Sequence, residues 1–171
     1  MNLKTHNPKI GNSMRLEEKV AQQFIQAQKT LSLAESCTGG LIGDQLTNMA
    51  GASAFFLLGI VAYDNAAKTK ILKVSPTLFK KHGAVSQPVA AAMAQGVRKI
   101  LKTDVGLGIT GIAGPSGGSK DKPVGLVFIA ICNQQKTIVK RFLFKGNRLA
   151  IKKLACQTAL KMLCSSQLNP L

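Results

Sequence analysis

Ser36 and Cys37 stand side by side in Ala34-Glu35-Ser36-Cys37-Thr38-Gly39-Gly40, between a short apolar run and the start of a helical pattern. A turn that ends a strand and opens a helix exposes side chains at the strand's carboxyl end and directs backbone N–H groups to one point. Ser36 there suits a nucleophile, with neighbouring amides as an oxyanion hole. Cys37 is the rival nucleophile. The same residues also suit plain structure, with Ser36 or Thr38 capping the helix and Gly39-Gly40 permitting close packing. The spacing is neither the GxSxG elbow nor the GxxxxGK[ST] phosphate loop.

Three further groups carry potential chemistry. In Tyr63-Asp64-Asn65-Ala66-Ala67-Lys68 the single tyrosine closes an apolar run and Lys68 follows in the next helix. A lysine whose pKa is lowered by burial can serve as base to a serine, and Ile60, Val61 and Ala62 are apolar enough to supply that burial; in isolation, a lysine is more simply a solvated one. Gly108 to Gly118 holds five glycines in eleven residues, which lets backbone wrap an anion or a planar ring, or merely form a flexible connection. Arg148, in Gly146-Asn147-Arg148, opens the last helix and suits a phosphate clamp or a solvent-exposed position. His82, in Lys80-Lys81-His82-Gly83, reads as a helix-end residue complementing the dipole rather than as a triad histidine.

These groups need elements to hold them. Hydrophobic spacing predicts a helix over Arg15 to Thr30, a strand over Leu31 to Glu35 and a helix over Gly40 to Met49. A buried strand follows over Ala54 to Tyr63, then short helices over Asn65 to Leu72 and Thr77 to Lys81. A long Ala-rich helix runs from Ser86-Gln87-Pro88 to about Leu101, and a strand over Asp104 to Thr110. Val124 to Cys132 and Thr137 to Phe144 are spaced as a hairpin, and the final helix covers Arg148 to Ser165. Early alternation and a late hairpin predict one α/β domain, a mixed sheet covered by helices in three α/β/α layers. Residues 1–14 read as a flexible leader, 15–166 as the domain and 167–171 as a tail.

Composition narrows the chemistry. The chain has 171 residues, 46% of them hydrophobic, which suits one ordinary core. Seven acids and two histidines leave little for a two-carboxylate glycosidase site or a metal set. Cys132, Cys156 and Cys164 read as reduced core residues. Neither a transmembrane run nor a secretory h-region occurs, so the expected location is the cytoplasm. The net charge of +16 attracts phosphates in general, but the lysines are scattered and no aromatic series accompanies them, so nucleic acid is a possible partner and not the favoured one.

Ala34 to Gly40, Tyr63-Asp64-Asn65 with Lys68, His82-Gly83-Ala84-Val85-Ser86, Gly111-Ile112-Ala113-Gly114-Pro115 and Lys122-Pro123-Val124-Gly125 together resemble the CinA C-terminal domain family, in the family's order and across residues 15–165. That family includes stand-alone nicotinamide-nucleotide amidases, which hydrolyse the carboxamide of nicotinamide mononucleotide (NMN) to nicotinate mononucleotide and ammonia in pyridine nucleotide salvage. Longer relatives carry a further N-terminal domain. The resemblance implies Ser36 as nucleophile, activated by Tyr63 and Lys68, with Lys68 held neutral by burial and by Tyr63. It implies the amides of Thr38, Gly39 and Gly40 around the oxyanion. Asn65, Thr110, Gly111, Gly114 and Arg148 then line the substrate site, with Arg148 meeting the phosphate.

No metal and no cofactor is expected, NMN is the expected ligand, and a homo-oligomer is the expected assembly. Gln87, Ser116 and Asn147 depart from residues common in the family, which bears on affinity more than on chemistry. The alternative is a non-enzymatic nucleotide- or nucleic-acid-binding accessory protein of the competence- or damage-inducible kind.

Overall fold

The computed structural model describes residues 14–165; most of the expected leader and all of the tail lie outside the described residues. Five strands form one mixed sheet in the order β2-β1-β3-β4-β5. They are β1 (Leu31–Glu35), β2 (Phe56–Val61), β3 (Val105–Gly111), β4 (Leu126–Cys132) and β5 (Thr137–Leu143). Among the described residues the helices are α1 (Leu16–Gln26), α2 (Leu41–Thr47), α3 (Asn65–Lys70), α4 (Pro76–His82), α5 (Gln87–Leu101) and α6 (Arg148–Ser165). β1 pairs in parallel with both β2 and β3, whereas β4 and β5 add as antiparallel neighbours.

The helices divide between the two faces. α1, α2 and α6 pack together over one, around Val20, Phe24, Ile42, Leu46, Ile151 and Leu163. On the other face, α5 lies on β3. Their approach requires glycine on the strand, because a Cβ on Gly108 would come within 2.5 Å of backbone atoms of Ala90 and Ala94. β1 is buried along its whole length, as a central parallel strand must be when both faces are covered.

Two expectations need correction. The first helix stops at Gln26, not Thr30: Gln28 takes a φ of 51°, and Thr30 turns its amide and hydroxyl onto Asp104. The Ala54–Tyr63 run is not a buried strand throughout. A 3-10 turn covers Ala52–Ala54, and β2 is an edge strand whose alternate residues face solvent, with Leu57 and Val61 exposed.

The parallel strands fix where a site can form. The chain leaves β1 for β2 on one side, then crosses to β3 on the other. That reversal opens a crevice beyond the strands' carboxyl ends, the place where open α/β sheets bind ligands. Register brings the ends level, since Glu35 pairs with Val61 on one side and Ile109 on the other.

Candidate active site

A cavity of about 220 Å³ lies at these strand ends, lined by residues from five separate segments. Ser36 and Cys37 follow β1. Tyr63, Asn65 and Lys68 come from the end of β2 and the start of α3. Ala84 and Val85 belong to the α4–α5 connection, Thr110 and Gly111 end β3, and Arg148 opens α6. Of the residues expected from sequence, Ser36, Tyr63, Asn65, Lys68, Thr110, Gly111 and Arg148 therefore meet. Thr38, Gly39, Gly40 and Gly114 are not among the lining residues.

The turn that carries Ser36 is pinned from both sides. The Ser36 amide donates to Ile109 O at 3.1 Å and the Ala62 amide to Glu35 O at 2.8 Å. The Glu35 side chain, itself 2% exposed, folds over the start of α2. It accepts from the amides of Gly40 (3.0 Å), Ile42 (3.1 Å) and Gly43 (2.9 Å). A helix N-terminus is a natural anion site because its first amides lack partners; here the protein's own carboxylate occupies it. The Gly40 amide is thus unavailable to an oxyanion, and the Gly39 amide donates to Ser36 O. The Cys37 amide faces its own thiol, and the Thr38 amide has no hydrogen-bond partner among the described residues. Of the three amides expected to serve as donors, those of Gly39 and Gly40 are engaged and that of Thr38 is not. Thr38 Oγ1 is buried without a hydrogen-bond partner.

Lys68 is 2% exposed. Its Nζ donates to the backbone carbonyl of Tyr63 at 2.8 Å and has no ion-pair partner among the described residues. Burial pushes its pKa below the free-lysine value, against the smaller opposing pull of Asp64 and of Cys37. Asp64 itself is occupied as the cap of α3, accepting from the Ala66 amide at 2.7 Å. A neutral amine in this position retains a lone pair after its one donated bond.

Tyr63 takes a different place from the expected one. Tyr63 is 59% exposed, and its phenol accepts a 2.7 Å hydrogen bond from Arg148 Nη2, so its contact with Lys68 is through the main chain. Arg148 Nη1 donates to Gly114 O at 2.8 Å. Arg148 thereby ties the end of β2 and the glycine loop to the start of α6 across the cavity mouth. Gly114 contributes its carbonyl to this strap rather than a wall to the cavity. Thr110 is 1% exposed and donates its hydroxyl to Ala84 O at 3.0 Å, which fixes the wall formed by Ala84 and Val85.

Cys37 has the opposite chemistry to Lys68. Burial pushes its thiol up to about 12, so the thiolate that a cysteine nucleophile needs is absent near neutrality. His82 is not among the lining residues; its carbonyl accepts from Lys122 Nζ. Among the described residues no cluster of three metal-ligating side chains occurs, and no helix is long and apolar enough to cross a membrane. Sequence reasoning did not single out Ala84 and Val85 as wall residues, although they lie inside the His82–Ser86 motif. It also missed Glu35 as the holder of the turn, for which an acid five to eight residues before the amides of a helix start was the available signal.

Comparison with known proteins adds the family. The model of the CinA C-terminal domain matches residues 13–166. A CinA-like protein from a Geobacter species is 47% identical over 150 residues, which cover 88% of this chain and 36% of that protein. The chain therefore spans about a third of the length of such curated relatives. Among solved structures, the competence damage-inducible protein A from Klebsiella pneumoniae superposes with a TM-score of 0.86 at 32% identity, covering 88% of this chain and 94% of that one. The competence/damage inducible protein CihA from Agrobacterium tumefaciens also gives 0.86, at 36% identity, covering 93% of this chain and 100% of that one.

Proposed function

The chain belongs to the CinA C-terminal domain family, and on that premise we propose that it is a nicotinamide-nucleotide amidase acting on NMN. One observation carries the reading: a buried lysine shares a small cavity with a serine, and among the described residues the lysine has no carboxylate partner and the serine hydroxyl no hydrogen-bond partner. Burial costs a lysine its charge. A molecule gains nothing in stability by sinking an ammonium beside a serine, whereas an amidase needs that base.

Lys68 Nζ takes the proton of Ser36 Oγ as the oxygen attacks the carboxamide carbon. The oxyanion is met by the amides of Cys37 and Thr38. The tetrahedral carbon then expels ammonia, which leaves with the proton held by Lys68. Water attacks the resulting ester, Lys68 again receives a proton, and Ser36 Oγ recovers it as the carboxylate departs. Thr110 and the wall it braces confine the pyridine ring, and the Arg148 strap closes the mouth.

The test is ammonia release from NMN by the purified protein, with Ser36→Ala and Cys37→Ala measured alongside. Loss in Ser36→Ala with activity kept in Cys37→Ala is the expected outcome. Release from Ser36→Ala at the level of the unaltered protein overturns Ser36 as nucleophile, and no release from folded, unaltered protein overturns the amidase.

A further inference from the structure

Lys68, Lys122, Arg148 and Lys152 border the cavity or the turns beside it, and three of the four are already engaged. Lys68 is buried on the Tyr63 carbonyl. Lys122 donates to His82 O. Arg148 spends one N–H on Gly114 O and another on Tyr63 Oη. Lys152 has neither an ion pair nor a hydrogen bond recorded among the described residues. It lies one turn beyond Arg148 on α6, and residues four apart share a helix face.

Lys152 is not an ordinary solvated lysine. It is half-buried, and its Nζ rests against the nucleophile turn: a Cβ on Gly39 would sit 3.4 Å from that nitrogen. Gly39 has a φ of 65°, so the residue that keeps this approach open also adopts backbone that side chains disfavour. The ammonium is near enough to the Cys37 thiol to act on it electrostatically. The remaining place for an anion, the start of α2, is filled by Glu35.

We propose that Lys152 is the specificity-determining residue that binds the phosphomonoester of the nucleotide substrate, while Arg148 acts as the brace of the cavity mouth. The amidase reading supplies the nucleotide; the assignment of Lys152 stands on the cations around the turn. A compact ammonium on a flexible stem meets a phosphate as a point charge, and the N–H groups that Arg148 has not spent lie one turn away on the same face.

Equilibrium titration with NMN and with its dephosphorylated form, nicotinamide riboside, tests this, using Ser36→Ala protein so that ligand is not consumed. Adding Lys152→Met is expected to weaken NMN binding about tenfold or more and to leave riboside binding unchanged. Lys152→Arg is expected to restore most of the loss. Unchanged NMN binding in Lys152→Met overturns the proposal. So does an equal loss for both ligands, which would mark a structural role, and so does equal affinity of the unaltered pocket for the two. Ammonia release by the unaltered chain is read separately: NMN bound through Lys152 without turnover would remove the amidase and keep the phosphate site.

Discussion

The space between α1, α2 and α6 encloses about 400 Å³, nearly twice the 220 Å³ of the cavity at the strand ends. It is walled by Leu16, Leu41 and Leu160, and two of its polar side chains find partners nearby. Glu17 lies 3.4 Å from Arg15, and the Cys156 thiol, pushed up to about 12 by burial, points its Sγ at Leu41 O. The smaller cavity leaves its chemistry open. Among the described residues the Ser36 hydroxyl has no hydrogen-bond partner, Lys68 has no counterion and the Thr38 amide is unpaired. Volume follows from helices that meet imperfectly. Reactivity follows from strand ends that bring distant segments together with groups unspent.

Replacing Lys68 by Met should separate the two cavities most sharply. Turnover of NMN is expected to fall about 10²- to 10⁴-fold, the range a positioned base supplies, while the fold persists. A variant retaining more than a tenth of the activity would remove the base from the mechanism. The unaltered protein supplies the matching pH dependence. The folded pKa of Lys68 lies below the free-lysine value. Between the two values the unfolded chain holds the proton and the folded chain does not, so this residue's contribution to stability rises with pH across that window. Activity follows the neutral amine and rises through the lower, folded pKa. A kcat that falls as pH rises there would contradict the assignment.

Tyr63→Phe probes the strap at the mouth. One hydrogen bond from Arg148 is lost, worth about 0.5–1.5 kcal/mol, and the expected result is a several-fold higher KM with kcat nearly unchanged. A collapse of kcat would return the phenol to the proton path. The smallest effect belongs to the larger cavity. Gln157→Phe, at an exposed position on α6, places a ring over that space; activity and KM should not move. A loss there would show that the helix layer, too, takes part in turnover.

Element types and order were legible because periodicity is a local property. The hairpin, the Ala-rich α5 and the strand before Ser36 each announce themselves within a window of ten or fifteen residues. The burial of β2 was not legible. Phe56 to Val61 is apolar enough for a central strand, and only the strand order, decided by the crossover to β3, leaves it at an edge. The motif residues Ser36, Lys68, Thr110 and Arg148 were found from types and family resemblance, and they converge. Hydrogen-bond direction was beyond a one-dimensional reading. Tyr63 and Lys68 are five residues apart and do touch, but through a carbonyl, while the phenol turns 85 residues downstream to Arg148. Lys152 carried no signal among 23 basic residues, since what distinguishes it is the missing side chain of Gly39.

The Glu35 carboxylate has one more consequence. A helix end left open beside the cavity would be a standing invitation to orthophosphate, sulfate and the phosphates of every other metabolite. By lodging a tethered carboxylate there, the chain fills that position with its own anion. Glu35 directly precedes Ser36 in the chain, so its carboxylate stays at the helix end at a fixed effective concentration that a free anion must outcompete. Selectivity between crowded anions is settled in the covalent sequence before any ligand arrives.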